Sequence, residues 1–419
     1  MPTWEMVNGN AVGQGNANAI GYFPLAGLIV ASTEVRYQTK VYASYTWANL
    51  YVRCTAFTAP INPTVRSRIG AGFGNQIVTI TGTGVFQDTV NTDSIVDQNL
   101  VDWEEDNSGG GGNKTITIIG STLQDTATNT TLQQCTALTT SIAFGLTLFA
   151  AVEGRLVRGG NGMATTEADA QYTIRRATTY TNLRVFVTSN GLDGASTFSF
   201  RVNAGAGSQS VSIGATATGA FEDTTNSDVV AVASEINYQL DTTASTASNI
   251  FITNSQVKHV STGREMASAS ANSAGIGTGD TYFSAEGDSS NGTTTEANTQ
   301  IAARAAFTAK NLFANIIAHG AAASDFFLRQ NTGNSALTLN VPSSSTGLFE
   351  NTTNQVIIGV GDVYNYFRDG AGETITITAI GMEQGPDAGG GRPGGTPGAR
   401  PRRGPPPRRP PGPRGAVAG

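Results

Sequence analysis

The sequence predicts an all-β chain: three tandem antiparallel β-sandwiches, of jelly-roll or immunoglobulin-like Greek-key topology, followed by a disordered tail rich in Pro, Arg and Gly. Three observations predict it. A nine-residue stretch recurs as GVFQDTVNT (84–92), GAFEDTTNS (219–227) and GLFENTTNQ (347–355). Short alternating runs such as STFSFRV and KTITIIGS arrive about every ten residues, separated by Gly, Asn and Asp, the rhythm of antiparallel strands and tight turns. Only 13% of the residues are charged and 51 are Gly, a mix that disfavours helices and suits pleated surfaces and turns.

The repeat extends well beyond the nine residues. Glu34, Glu167 and Glu296 each precede Leu50, Leu183 and Leu312 by sixteen positions. Phe86, Phe221 and Phe349 of the motif are followed seventeen residues later by Trp103, Tyr238 and Tyr366. The Leu markers lie 133 and 129 residues apart, a period too long for a solenoid and right for whole domains. These six aromatics are therefore expected in the cores. Trp47, matched to Tyr180 and Phe307, is expected beside them.

In chain order, residues 1–19 read as a flexible arm and 20–126 as the first sandwich. A linker over 127–144 leads to the second sandwich, 145–261, and another over 262–278 to the third, 279–385. Residues 386–419 form the tail. Within the motif, the Gly is expected to break the strand, the Phe to enter the sandwich, and the acidic or amide pair to cap a turn. The first sandwich opens with an unusually apolar stretch, in which Tyr22, Phe23, Leu25, Leu28, Ile29 and Val30 are candidates for a strand. It either begins its own sandwich or completes a neighbouring subunit by strand addition.

Charge is distributed unevenly. The tail carries seven Arg and one Asp, which leaves −12 on residues 1–385 of a chain whose net charge is −6. An acidic body argues against nucleic-acid binding by the folded part. Arg402, Arg403, Arg408 and Arg409 could neutralise phosphate weakly or meet an acidic protein surface. The opening MPTWEMVNGN lacks the basic and apolar regions of a Sec leader, and no apolar run has the length of a membrane-spanning helix.

Catalytic and metal chemistry are poorly supplied. His259 and His319 are the two histidines, in different repeats and without a neighbouring ligand set. Glu104 and Glu105 are adjacent, so on a strand they face opposite ways. The repeated Glu34, Glu167 and Glu296 stand singly. Asp88 and Asp223 are replaced by Asn351 in the third copy, which argues against a calcium loop. No cofactor, metal or enzymatic activity is expected. Cys54 and Cys135 read as small buried groups, with a single bridge as the alternative. Sequons start at Asn113, Asn129, Asn291 and Asn351.

The stretch TNLRVFVTSNGLDGASTFSFRVNAG with GAFEDTTNSDVVAVASEINYQL resembles tandem jelly-roll-like β-sandwich units of phage and environmental-virus surface proteins and of uncharacterised extracellular fibres. The likeness covers all three repeats and departs in the first at NLVDWEEDNSGGGG. It implies a structural protein that assembles with itself or with capsid or fibre proteins, in a virion or an extracellular filament. An adhesin that binds glycans through its loops is the alternative.

Overall fold

The computed structural model describes residues 4–15, 20–25, 30, 32–109, 112–125, 131–137, 141–152, 163–261, 266–271, 275–285, 287–288, 292–370 and 372–386. Leu28, Ile29, Asn129, Asn291 and the four tail arginines fall outside them. The described residues are almost entirely β.

Six sheets form, and they come in three matched pairs. In the first pair one sheet has the order Trp4–Gly15, Asn113–Asp125, Tyr45–Phe57, Gly84–Ile95. Its partner runs Ile20–Phe23, Leu100–Asp106, Thr64–Ile69, Gly72–Thr79. Numbering these eight strands along the chain gives 1-8-3-6 facing 2-7-4-5. Every connection except the hairpin between the fourth and fifth strands crosses from one sheet to the other, which is the jelly roll. The second and third pairs repeat this order. Of the two topologies expected, the jelly roll is the one found.

The first strand of each sandwich lies where an arm or a linker was expected. Trp4–Gly15, Thr131–Ala137 and Met266–Ala271 pair antiparallel with the closing strands Asn113–Asp125, Asn249–Ser261 and Ile375–Pro386. WEMVNGNAVGQG, TLQQCTA and MASASA lack apolar alternation, so their ladder hydrogen bonds, not a hydrophobic pattern, define them as strands.

Each sheet pair encloses an apolar cluster. Trp103, Tyr238 and Tyr366 are fully buried in the three clusters, while Phe86, Phe221 and Phe349 pack against them half-buried. The Trp47 and Trp103 rings lie 5.9 Å apart, and Phe198 and Tyr238 lie 5.2 Å apart. By strand register, the position of Trp47 is filled by Tyr180 and by Ala309 rather than Phe307, since these three oppose Asp93, Asp228 and Val356.

The long central strand of each sandwich carries a bulge that the repeat spacing had marked without explaining. Asn49, Asn182 and Asn311 have φ of 58°, 59° and 52°, and the pairing to the motif strand shifts at each of them. Asn tolerates this left-handed conformation better than other side-chain-bearing residues. The bulge sets the following Leu50, Leu183 or Leu312 fully into the core.

The motif itself is one unbroken strand, Gly84–Ile95, Gly219–Val230 or Gly347–Ile358. Its Gly does not break it, but starts it at φ 137°, 106° or 108°, a region that excludes a β-carbon. The acidic member four residues on reaches across to the hairpin of the facing sheet. Asp88 accepts the Ile77 N–H at 2.9 Å and also the N–H groups of Val90 and Asn91. Asp223 does the same with Ser210 at 3.0 Å, Thr225 and Asn226. Burial opposes the Asp223 carboxylate, but donations from Asn226, Ser210 and Thr225 outweigh it and hold its pKa down at about 2. Asn351 reverses the polarity: its amide donates to the Thr338 carbonyl at 2.8 Å.

Beneath this cap, the first two sandwiches share a buried polar pair. Gln76 Nε2 donates to Asp93 at 3.0 Å and Gln209 Nε2 to Asp228 at 3.1 Å, and each Gln accepts the backbone N–H of Leu50 or Leu183. In the third sandwich the equivalent residues are Leu337 and Val356, both packed in its core. Both partners changed together, as expected when a lone survivor would be buried without a bond. Gln209→Leu alone is expected to cost ~1–3 kcal/mol, and Q209L/D228V distinctly less than the two single changes added. Urea unfolding of the four proteins checks this; strict additivity would show that the pair does not act as a unit.

Candidate functional site: junctions between sandwiches

The expected assembly strand is occupied inside its own sandwich. Ile20–Phe23 pairs with Leu100–Asp106, placing Tyr22 opposite Glu104 and Phe23 opposite Trp103. Phe23 and Leu25 are buried in the first core, and Val30 packs against it. Tyr22 lies beneath Arg68, 5.8 Å from guanidinium to ring. Within the chain, Ile20–Phe23 is thus the outermost strand of its own sandwich's second sheet.

The residues weighed for chemistry are occupied by the fold. Glu34, Glu167 and Glu296 each sit on a short 3-10 turn and grip an Arg of the hairpin through two hydrogen bonds. Arg68 reaches Glu34 at 3.0 and 3.0 Å, Arg201 reaches Glu167 at 2.6 and 3.1 Å, and Arg329 reaches Glu296 at 2.5 and 3.3 Å. Each Arg also donates to a carbonyl at its own hairpin turn, that of Ala71, Ala204 or Thr332. The triplicated Glu is a staple from turn to hairpin. Glu104 and Glu105 do point to opposite faces: Glu104 meets Arg66 and Arg68, and Glu105 pairs with the buried Lys114 of the other sheet.

His259 is buried, stacked on Tyr180 at 5.5 Å, and desolvation pushes its pKa down to about 4. His319 bridges the Pro342 carbonyl and the Ser324 hydroxyl. Cys54 is a free buried thiol, whose pKa burial raises. Among the described residues no three His, Cys, Asp or Glu side chains come together as a metal set, and no helix is long and apolar enough to cross a membrane. Asn113 is exposed, whereas the Asn351 amide is engaged as described.

One acid is unlike the rest. Asp102 is fully buried, with neither carboxylate oxygen hydrogen-bonded among the described residues. Burial, then the nearby Glu34 and Glu104 charges against the opposing Arg68, push its pKa up to about 9. The equivalent residues are Asn237 and Asn365, one before Tyr238 and Tyr366, which match a carboxyl that keeps its proton.

What the repeats do bring together is surface. In each sandwich a bridging loop, at 38–44, 171–177 or 300–306, meets the central and motif strands of another sandwich. From the first to the second, Lys40 binds Glu222 at 2.8 Å, and Gln256 exchanges hydrogen bonds with the Lys40 backbone at 3.1 and 3.3 Å. Arg184 contacts Glu222 at 3.0 Å and donates to the Gln38 carbonyl at 3.5 Å. From the second to the third, Arg175 pairs with Glu350 and lies 4.5 Å from the Phe313 ring centroid. From the third back to the first, Arg304 donates to Gln87 at 2.8 Å and lies 4.9 Å from the Tyr51 ring, whose hydroxyl donates to the Gln300 carbonyl at 3.5 Å.

The same positions recur at every junction. Tyr42, Arg175 and Arg304 stand eight residues after the repeated Glu, and Tyr51, Arg184 and Phe313 seventeen after it. Gln87, Glu222 and Glu350 follow the motif Phe directly. Three equivalent head-to-tail junctions that return to their start close a ring about a pseudo-threefold axis. Tyr51, Arg184 and Phe313 are all buried there, so the desolvated cation–aromatic contacts at two junctions are each worth ~2 kcal/mol.

No family model matches the sequence, and no curated protein matches it. Among solved structures, similarity is found to a chain from "The Triple Jelly Roll Fold and Turret Assembly in an Archaeal Virus", at 10% identity and a TM-score of 0.18, covering 90% of each chain. The strand order given above, not that superposition, carries the topology.

The Asp102 environment has a pH signature. Between its ordinary pKa of 3.8 and about 9, the folded state holds a proton that the unfolded chain releases, so stability falls as pH rises through that window, by at most ~1.4 kcal/mol per pH unit. Asp102→Asn is expected to melt higher than the parent at pH 8, with a smaller gap at pH 5. Thermal melts of both proteins at the two pH values check it; an equal gap would mean that Asp102 is ionised in the fold.

Proposed function

We propose that the chain is a non-enzymatic structural subunit, a single-chain counterpart of a trimer of jelly rolls, built for a virion surface, fibre or decoration or for an extracellular filament. Its proposed domains are the three sandwiches near 20–126, 145–261 and 279–385, each extended by the outer strand that precedes it. The observation that carries this reading is the closed ring of junctions. The bridging loops and motif positions that diverge between repeats are used for sandwich-to-sandwich contact, and the repeated acids are used for stapling.

Self-association, or association with capsid or fibre proteins, follows as the proposed partnership. The Arg-rich tail is proposed to meet an acidic protein surface such as the body of another copy. Support for the assembly reading comes also from what the polar residues do: the repeated carboxylates have their hydrogen bonds and counter-charges inside the sandwiches.

Electron microscopy of the purified full chain tests the reading. Compact three-lobed particles that associate into regular arrays, fibres or closed shells with rising concentration are expected. Three separated beads would sink the ring. Compact particles that stay single at every concentration and bind glycans specifically in a screen would move the function to an adhesin.

A further inference from the structure

One outer face of the third sandwich differs from its counterparts. The sheet of Thr281–Phe283, Val363–Asp369, Ser324–Gln330 and Gly333–Val341 turns two adjacent rows of side chains away from the core. Tyr282, Phe367 and Phe327 stand side by side on neighbouring strands, with ring centroids 4.8 and 5.8 Å apart. Tyr282 and Phe327 are half-buried and Phe367 is covered between them. Two residues further along, Asp369 and Asp325 oppose each other directly. Asp280 joins them, accepting the Gly370 N–H at 3.2 Å.

Neither row recurs. The counterparts of the aromatic row are Tyr22, Glu104 and Arg66 in the first sandwich and Phe149, Gln239 and Ser199 in the second. Those of the acidic pair are Asp106 opposite Thr64 and Asp241 opposite Thr197. The third sandwich alone sets carboxylate against carboxylate, an arrangement that costs stability and that a cation would relieve. Arg368, buried behind the pair, offsets part of the charge. Its hydrogen bonds, however, go to the Gly277, Gly370 and Glu373 carbonyls and the Ser324 hydroxyl.

We propose that this face seats the chain's own tail, residues 387–419, with prolines on the aromatic row and an Arg pair on the acidic one. The inference rests on the partner proposed above for the tail and narrows an acidic protein body to one face.

The occupant follows from where the chain leaves the sandwich and from what it carries. Pro386 pairs with Phe307, whose ring lies 5.3 Å from that of Tyr364. Tyr364 is on the strand that ends at Asp369, five residues or about 17 Å further on, and the two sheets are about 10 Å apart. Residues 387–401 extend to ~50 Å, enough to bring Arg402 and Arg403 to the acidic row. Pro405, Pro406 and Pro407 lie between Arg403 and Arg408. Such a segment docks on aromatic surfaces in the extended helix that proline favours, and the flanking guanidinium forks match carboxylates. The tail holds seven Arg and one Asp, so charge and apolar surface are complementary on both sides.

The test uses the full chain with Cys54→Ala and Cys135→Ser as background. Gly404→Cys is combined either with Thr338→Cys, opposite Phe327 at the end of the aromatic row, or with Gln355→Cys. Gln355 is exposed and in register with Lys310 and Glu383, closer to the point where the tail leaves. With a short bis-maleimide at low protein concentration, the Thr338 variant is expected to cross-link within one chain several-fold faster than the Gln355 variant. Equal rates, or faster reaction at Gln355, would overturn the seat. A product of twice the chain mass would give the face to another copy's tail and overturn the seat within the chain.

Asp325→Asn, which removes the like-charge pair and leaves the fold unburdened, is expected to slow the Thr338 cross-link roughly two- to five-fold. Phe327→Ser is expected to slow it at least as much. Unchanged rates in both would overturn the proposal. Regular arrays in the electron microscope alongside any of these failures leave the assembly reading standing, whereas single particles with the cross-link intact remove that reading alone.

Discussion

The architecture depends on one bond across a gap. In each sandwich the hairpin strand Gly72–Thr79, Gly205–Ile213 or Gly333–Val341 ends its sheet, and the outward backbone groups of such a strand solicit any other strand that approaches. A side chain of the motif strand in the opposite sheet takes that partnership. Asp88 and Asp223 accept from an N–H, whereas Asn351 donates to a carbonyl of the equivalent residue. What persists through the three copies is the bond from sheet to sheet, not its polarity. It closes the side of the sandwich, fixes the distance between the sheets, and leaves the neighbouring residue, Gln87, Glu222 or Glu350, directed at another sandwich.

This explains how much could be read in advance. The all-β, antiparallel sandwich class was legible because alternation and constant spacing report packing, while the order of the strands within each sheet was not. The outer strands were not, since a segment such as TLQQCTA contributes ladder hydrogen bonds without an apolar pattern. The motif was legible as a repeat but not as a strand: its Gly starts the strand instead of breaking it, and its Asp, expected to cap a turn, accepts from the N–H groups two and three residues on and from the facing sheet as well. The junctions left a trace in the sequence that pattern reading passed over. Eight residues after the repeated Glu stand Tyr42, Arg175 and Arg304, and seventeen after it Tyr51, Arg184 and Phe313, so that Arg175 faces Phe313 and Arg304 faces Tyr51 across two of the junctions.

One buried pair shows how the copies have diverged. Gln209 with Asp228 became Leu337 with Val356. The members of that interacting pair differ together, as the high cost of a single unpaired buried group requires. The first sandwich departs furthest, with Asp102, Glu104 and Glu105 buried on one strand and Arg66, Arg68 and Lys114 gathered around them. It carries the most buried charge, and its stability leans most heavily on proton occupancy.

A ring closed by equivalent junctions has no first member. The strand Trp4–Gly15 lies beside Gly287–Asp288 of the third sandwich, so the beginning of the first jelly roll and the last one are already neighbours. The covalent order of the three sandwiches is therefore one of three circular permutations compatible with the same set of contacts. The polypeptide connections choose which junction is closed by non-covalent contact alone; they do not choose the shape.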